Sequence, residues 1–139
     1  MLIRVYENAL PEDALFIRTE VFVKEQGFVD EFDDIDARCM HILGYEKNLP
    51  IAVCRCFFED NPTVWHIGRM AVMKDFRKMG LGSAIMTAAE EEIRKRGGAV
   101  AELSSQCRAM HFYETLGYAA EGETYLDEGC PHILMKKSL

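Results

Sequence analysis

The chain has 139 residues, of which 49% are hydrophobic and 28% charged, with a formal net charge of −7. That length suits one domain over residues 1–139 with a sizeable core, and no apolar run approaches the roughly 18 residues that cross a bilayer, so no membrane partner is expected. A negative balance lacks the basic face that general nucleic-acid binding requires, so no nucleic acid is expected, while a cationic partner is compatible with it.

Leu2-Ile3-Arg4-Val5-Tyr6 reads as a short strand, and Pro11-Glu12-Asp13 as a helix start, with proline tolerated and acids favourable in a first turn. That helix continues through Leu15, Phe16, Arg18, Val21 and Phe22 to about Gly27. Val29 to Arg38 is a polar connection whose acidic run, Asp30 to Asp36, reads as a solvated segment more readily than as a lure for an ammonium group. Met40 to Glu46, a turn at Lys47-Asn48-Leu49-Pro50, and Ile51 to Glu59 form a hairpin pattern. Cys54 and Cys56 share a strand face without a CxxC or HxxxH partner, so they read as small buried residues and no metal is expected.

After a turn at Asp60-Asn61-Pro62, Trp65-His66-Ile67-Gly68-Arg69-Met70-Ala71-Val72 is apolar enough for a buried strand. Leu81, Ile85, Ala89 and Ile93 then recur every four residues opposite Ser83, Thr87, Glu90, Glu91 and Arg94, which is an amphipathic helix. Glu90/Arg94, Glu91/Lys95 and Glu92/Arg96 are favourable pairs on its exposed side, and Gly97-Gly98 stops it. Ala99 to Ser104 is a further strand. Ala109, Phe112, Tyr113 and Leu116 mark a short helix ended by Gly117, and Tyr118–Ala120 and His132–Lys136 are closing strands. The order β-α-β-β-β-α-β-α-β-β gives an α/β fold of the α+β type, with a mixed sheet of about six to seven strands flanked by helices. Five cysteines at irregular spacing, together with an N-terminus that lacks a cationic-then-apolar leader, set the expectation of a reducing, cytoplasmic compartment.

Between that strand and helix lies Arg77-Lys78-Met79-Gly80-Leu81-Gly82-Ser83. A helix start carries unpaired N–H groups and partial positive charge. Glycines remove Cβ atoms that keep a ligand away, and Arg77 and Lys78 add full charges, so the segment is an anion cradle suited to a pyrophosphate. A dinucleotide-binding turn is disfavoured, because Ile85 stands where a third glycine is needed and six residues or more separate the strand from Gly80. No Gly-Lys-Ser/Thr occurs for a P-loop.

Arg77-Lys78-Met79-Gly80-Leu81-Gly82 after Met70-Ala71-Val72, with Phe112-Tyr113-Glu114-Thr115-Leu116-Gly117-Tyr118 on the late helix, resembles the GCN5-related N-acetyltransferases (GNAT) over essentially the full chain. Val21–Gln26, Ile67–Val72 and Tyr125–Ile133 look like the ElaA-like branch. The resemblance implies acetyl-CoA as co-substrate, without metal, and transfer of its acetyl group to a primary amine on a small molecule or peptide. It implies that Arg77 to Ser83 hold the pyrophosphate and that Met70, Ala71 and Val72 flank the pantetheine arm, with Met70 and Val72 pairing as though to an added strand. Gln106 stands at the position of a family asparagine that bonds the same arm.

Tyr113 is the implied general acid toward the departing thiolate, although helical spacing alone makes it part of an apolar stripe. For the general base the resemblance points to His66, which reads equally as a partly exposed strand histidine. Glu25, His41, Asp127, Glu128 and His132 compete with it for that role and are candidates to line the acceptor pocket, in no order the sequence sets. Cys107 has no activating partner for an acyl-cysteine route. A homodimer is compatible with the family. The alternative from another class is a GNAT-fold module that binds acyl-CoA without turnover, as a sensor or interaction protein.

Overall fold

A computed structural model describes residues 1–139. Its strands are β1 (Leu2–Glu7), β2 (Met40–Glu46), β3 (Leu49–Phe57), β4 (Val64–Val72), β5 (Val100–Gln106), β6 (Ala119–Asp127) and β7 (Cys130–Ser138). They form one seven-stranded sheet in the order β1-β2-β3-β4-β5-β7-β6. Every neighbouring pair is antiparallel except β4 and β5, which are parallel. The helices are α1 (Glu12–Arg18), which widens into a looser helical turn over Thr19–Glu25, α2 (Leu81–Lys95) and α3 (Met110–Thr115).

The near-continuous apolar runs of β2 and β3 follow from burial on both faces. Met40, Ile42, Ala52, Cys54 and Cys56 pack with Ile85, Met86, Ala89 and Ile93 of α2. The alternate residues Leu43, Tyr45 and Val53 pack with Ala14, Ile17, Val21 and Phe22 of the first helical segment. On β4, Trp65 and Ile67 face α2, and so do Met70 and Val72, while Ala71 faces α1. Going from Ile67 to Met70 on one face takes three residues where a regular strand takes two. The extra residue is a bulge: Gly68 pairs with Arg55 and Ala71 with Val53, so Arg69 and Met70 together oppose Cys54. Arg69 sits there at φ 54, in the left-handed region.

Three expectations are corrected. The acidic run is not solvated throughout: Asp30, Asp33 and Asp34 are exposed, but Glu31 and Asp36 are buried within a network of three arginines. Arg18 Nε donates to Glu31 Oε2 at 2.9 Å, and its Nη1 to Asp36 Oδ1 at 2.6 Å. Arg55 Nη1 donates to Asp33 at 2.6 Å and to Asp36 at 2.9 Å, while Arg69 Nε lies 3.1 Å from Glu31 Oε2. The signal in the sequence is Arg18 itself, at a position whose helical neighbours are apolar. Glu90 is likewise buried rather than on the exposed face of α2, and accepts from Tyr118 Oη and Lys137 Nζ, each at 2.8 Å. Finally, the closing hairpin is much longer than expected, turning at Glu128 (φ 48) and Gly129 (φ 76). All five cysteines carry free thiols, and no helix is long and apolar enough to cross a membrane.

Candidate active site

The parallel pair β4/β5 is joined only over Val64↔Val100, Trp65↔Ala101 and His66↔Glu102. Beyond His66 the strands part, although β4 runs on to Val72 and β5 to Gln106. The β4 edge from Ile67 onward therefore presents main-chain N–H and C=O groups with no β5 partner, which is an invitation to an added extended ligand. The bulge at Arg69 bends β4 where the parting begins. The result is a cleft of about 1120 Å³, slightly above the usual span for a small-ligand site, which reaches about 1,000 Å³.

One end of the cleft is the start of α2. Lys78 (φ 65) and Gly80 (φ 77) are left-handed, which turns the loop onto the helix. The first intrahelical bond there runs from Ala84 N to Gly80 O, so the N–H groups of Leu81, Gly82 and Ser83 precede the helical ladder. No side chain caps this end, and no acid lies in the first turn to neutralise its dipole. Gly80 leaves open space where a Cβ would stand. The Cβ missing from Gly82 instead makes room for Phe112, whose ring would lie 3.1 Å from it. An acyl-CoA pyrophosphate matches this donor set and its charge. The Arg77 guanidinium is not a free cation, however: it clamps Glu25 through bonds of 2.5 and 2.6 Å and donates to Val72 O at 2.9 Å. Those bonds hold the Glu25 carboxyl below the usual carboxylate range.

A family model described as an acetyltransferase (GNAT) domain matches residues 11–139. The chain belongs to the GNAT acetyltransferase family. A Bacillus subtilis protein described as an acetyltransferase is 39% identical over 132 residues, covering 89% of this chain and 86% of that one. A Lactobacillus plantarum structure described as an N-acetyltransferase superposes with a TM-score of 0.89 at 32% identity, covering 100% of this chain and 99% of that one. Escherichia coli ElaA superposes with a TM-score of 0.84 at 26% identity, covering 98% and 99%, in line with the resemblance to that branch.

In this GNAT chain the cleft gathers Met70, Ala71 and Val72 from β4, Arg77, Lys78, Gly80, Leu81, Gly82 and Ser83 from the loop and α2, and Gln106 and Tyr113 beyond β5. Met79, expected among them, does not line the cleft; its side chain points to solvent, 66% exposed. Gln106 Nε2 donates to Gln26 Oε1 at 2.8 Å, and Glu128 Oε1 accepts from Val29 N at 2.9 Å, so two polar straps tie the first helical segment and its following loop to the far wall.

Tyr113 is nearly buried, edge-on to Phe112 at 5.0 Å and to Tyr118 at 6.1 Å. Its ring completes the apolar stripe, yet it also lines the cleft, and its hydroxyl has no hydrogen-bond partner within the chain. Burial pushes the phenol well above its ordinary range, so it stays protonated at neutral pH.

The structure does not bring His66 into the cleft. It is the last residue joined to β5, its ring stacks on Phe57 at 5.1 Å, and its Nδ1 lies 3.1 Å from Glu102 Oε1. His41 is also outside, because β2 turns it inward: it is fully buried, and its Nε2 donates to Asp36 O at 2.8 Å. Burial lowers its pKa and keeps it neutral. His41, Cys39 and Asp36 bring potential metal ligands within 4.8 Å of one another. Both Asp36 oxygens are nevertheless engaged by guanidiniums, and burial pushes the Cys39 thiol up to about 11, so the trio does not fit a cation.

Glu25, Asp127, Glu128 and His132 do line the cleft. Gln26, Arg69, Ser104 and Arg108 line it too without having been expected there, and Glu31 does so from the acidic run weighed above as a lure for an ammonium group. Of the four unexpected residues only Arg69 left a signal, as a cation inside an otherwise apolar strand.

Proposed function

We propose that the protein transfers an acetyl group from acetyl-CoA to a primary amine by direct attack. The observation that supports this best is the continuity of the cleft. An unpaired β4 edge runs from the bulge at Arg69 toward the uncapped start of α2, with the Tyr113 hydroxyl facing the same space. Bound there, acetyl-CoA supplies a thioester carbonyl for the amine to attack. Residues Gly80 to Ser83 hold the pyrophosphate through main-chain N–H groups, with Lys78 adding charge. Met70 and Val72 pair through main-chain atoms with the pantetheine arm. Tyr113, kept protonated by burial, donates a hydrogen bond to the sulfur as negative charge gathers on it. A phenol raised above its ordinary pKa transfers its proton uphill to a thiolate near ~8.5, so donation of a hydrogen bond contributes more than full release. No thiol is needed as an intermediate carrier.

The test is thiol release from acetyl-CoA with a panel of primary amines, run beside thermal stabilisation by acetyl-CoA alone. Stabilisation together with turnover of at least one amine is the expected result. Stabilisation without turnover across the panel contradicts the transferase reading and favours an acyl-CoA-binding module.

A further inference from the structure

We propose that His132 is the general base that takes a proton from the acceptor ammonium, through Nε2. The inference rests on the transferase reading above and fills the role that His66, held outside the cleft, cannot reach.

His132 Nδ1 lies 2.8 Å from the carbonyl oxygen of Cys130. A carbonyl only accepts, so Nδ1 carries the hydrogen and, in the neutral ring, Nε2 carries the lone pair. Nε2 has no partner within the chain. It is not sealed off either: the only buried side-chain N or O atoms without partners are His41 Nδ1 and Arg55 Nε. The residue as a whole is 6% exposed, yet it lines the cleft. An imidazole with its acceptor nitrogen free and its donor nitrogen fixed is the arrangement a base requires.

The ring is held from two sides. On β7 it is paired in register with Gln106 at the end of β5 and with Tyr125 on β6. Tyr125 stacks on it with centroids 6.1 Å apart and planes 24° from parallel, and the Tyr125 hydroxyl is in turn bonded to Ser104 Oγ. Tyr125 is thus a positioning residue. The charged and titratable groups around it are Tyr125 and Cys130, which touch the ring from β6 and from its own strand, and Asp127, Glu128, Glu25 and Arg108, which line the cleft with it. Glu25 is committed to Arg77 and Glu128 to Val29 N, which leaves His132, a cleft-lining residue, with a nitrogen acceptor that no group of the chain engages.

The step balances as follows. The acceptor ammonium gives one proton to His132 Nε2. The freed nitrogen lone pair forms the C–N bond to the thioester carbonyl carbon, the C–S bond breaks, and its electron pair leaves on sulfur. A second proton from nitrogen ends on that sulfur, and His132 returns its own proton to water. Ammonium and thioester become amide, thiol and one free proton.

The test takes the full chain, with His132→Gln as the variant. In ¹⁵N spectra of the wild-type protein, the neutral His132 ring should be the Nδ1–H tautomer; an Nε2–H tautomer overturns the proposal whatever the variant does. With saturating acetyl-CoA, n-propylamine (an ammonium at neutral pH) is compared with trifluoroethylamine (already neutral). His132→Gln should lower kcat about 100-fold for n-propylamine, with a much smaller loss for trifluoroethylamine, unchanged acetyl-CoA affinity by calorimetry, and loss of the acid limb of the pH–rate profile. Equal losses for both amines, or an undiminished n-propylamine rate, overturn the base role while leaving the transferase reading standing. Acetyl-CoA binding with no turnover of any amine by the wild type removes both.

Discussion

Arg18→Met is expected to destabilise the protein by about 3–5 kcal/mol, the range for removing one partner from a buried ion network. Arg18 is fully buried, and its guanidinium makes four hydrogen bonds: two to Asp36, one to the Glu31 carboxylate and one to the Glu31 carbonyl. Methionine fills much of the volume but leaves Glu31 with only Arg69, and Asp36 with only Arg55, among their charged partners. The loss should depend on pH. Burial pushes the Asp36 carboxyl up, but hydrogen bonds from Arg18, the Asp33 N–H and Arg55 outweigh it and hold it at about 2, below its ordinary 3.8. A depressed carboxyl supplies stability that is fully present above 3.8 and lost as pH falls toward about 2. The gap between wild type and variant should therefore narrow over that window. Urea denaturation at pH 7 and near pH 3, with the slope checked for constancy, measures it; equal midpoints at pH 7 contradict the network's role. Because Glu31 and Arg69 both line the cleft, the same variant should weaken acceptor-side function.

Tyr113→Phe should lower kcat about 100-fold or more, with acetyl-CoA affinity and unfolding midpoint close to wild type. The hydroxyl makes no hydrogen bond within the chain, so the fold loses nothing with it, and phenylalanine keeps both edge-on contacts, to Phe112 and to Tyr118. What disappears is the hydroxyl donor proposed to serve the thioester sulfur. Steady-state kinetics on an acceptor amine found in the panel, beside calorimetric titration with acetyl-CoA, separates the two effects. A wild-type kcat removes Tyr113 from the chemistry.

Much of the fold was legible because burial leaves period. The near-continuous apolar runs of β2 and β3 and the four-residue recurrence in α2 survive in one dimension, and the glycine loop announces a helix start by composition. The parting of β4 from β5 was not legible, since it depends on which strand is neighbour to which. The bulge at Arg69 was visible only as a charge in the wrong place. Pairings over long separations were also silent: Arg18 with Asp36, Glu90 with Tyr118 and Lys137, Gln26 with Gln106. His132 illustrates the limit well. Its residue type marked it as a candidate, but the free nitrogen that makes it a base follows from a bond to Cys130 O and a stack on Tyr125. His66 had a better position in sequence and a worse one in space.

The central claim is that the uncapped start of α2 grips the coenzyme's diphosphate. Ser83→Glu tests it most directly, because a carboxylate in the first helical turn strengthens the helix while opposing an anion at the same N–H groups. Calorimetric titration with coenzyme A, paired with a melting curve, should show affinity falling by about tenfold or more in a variant whose melting temperature is equal or higher. Undiminished affinity in a folded Ser83→Glu protein would contradict the account.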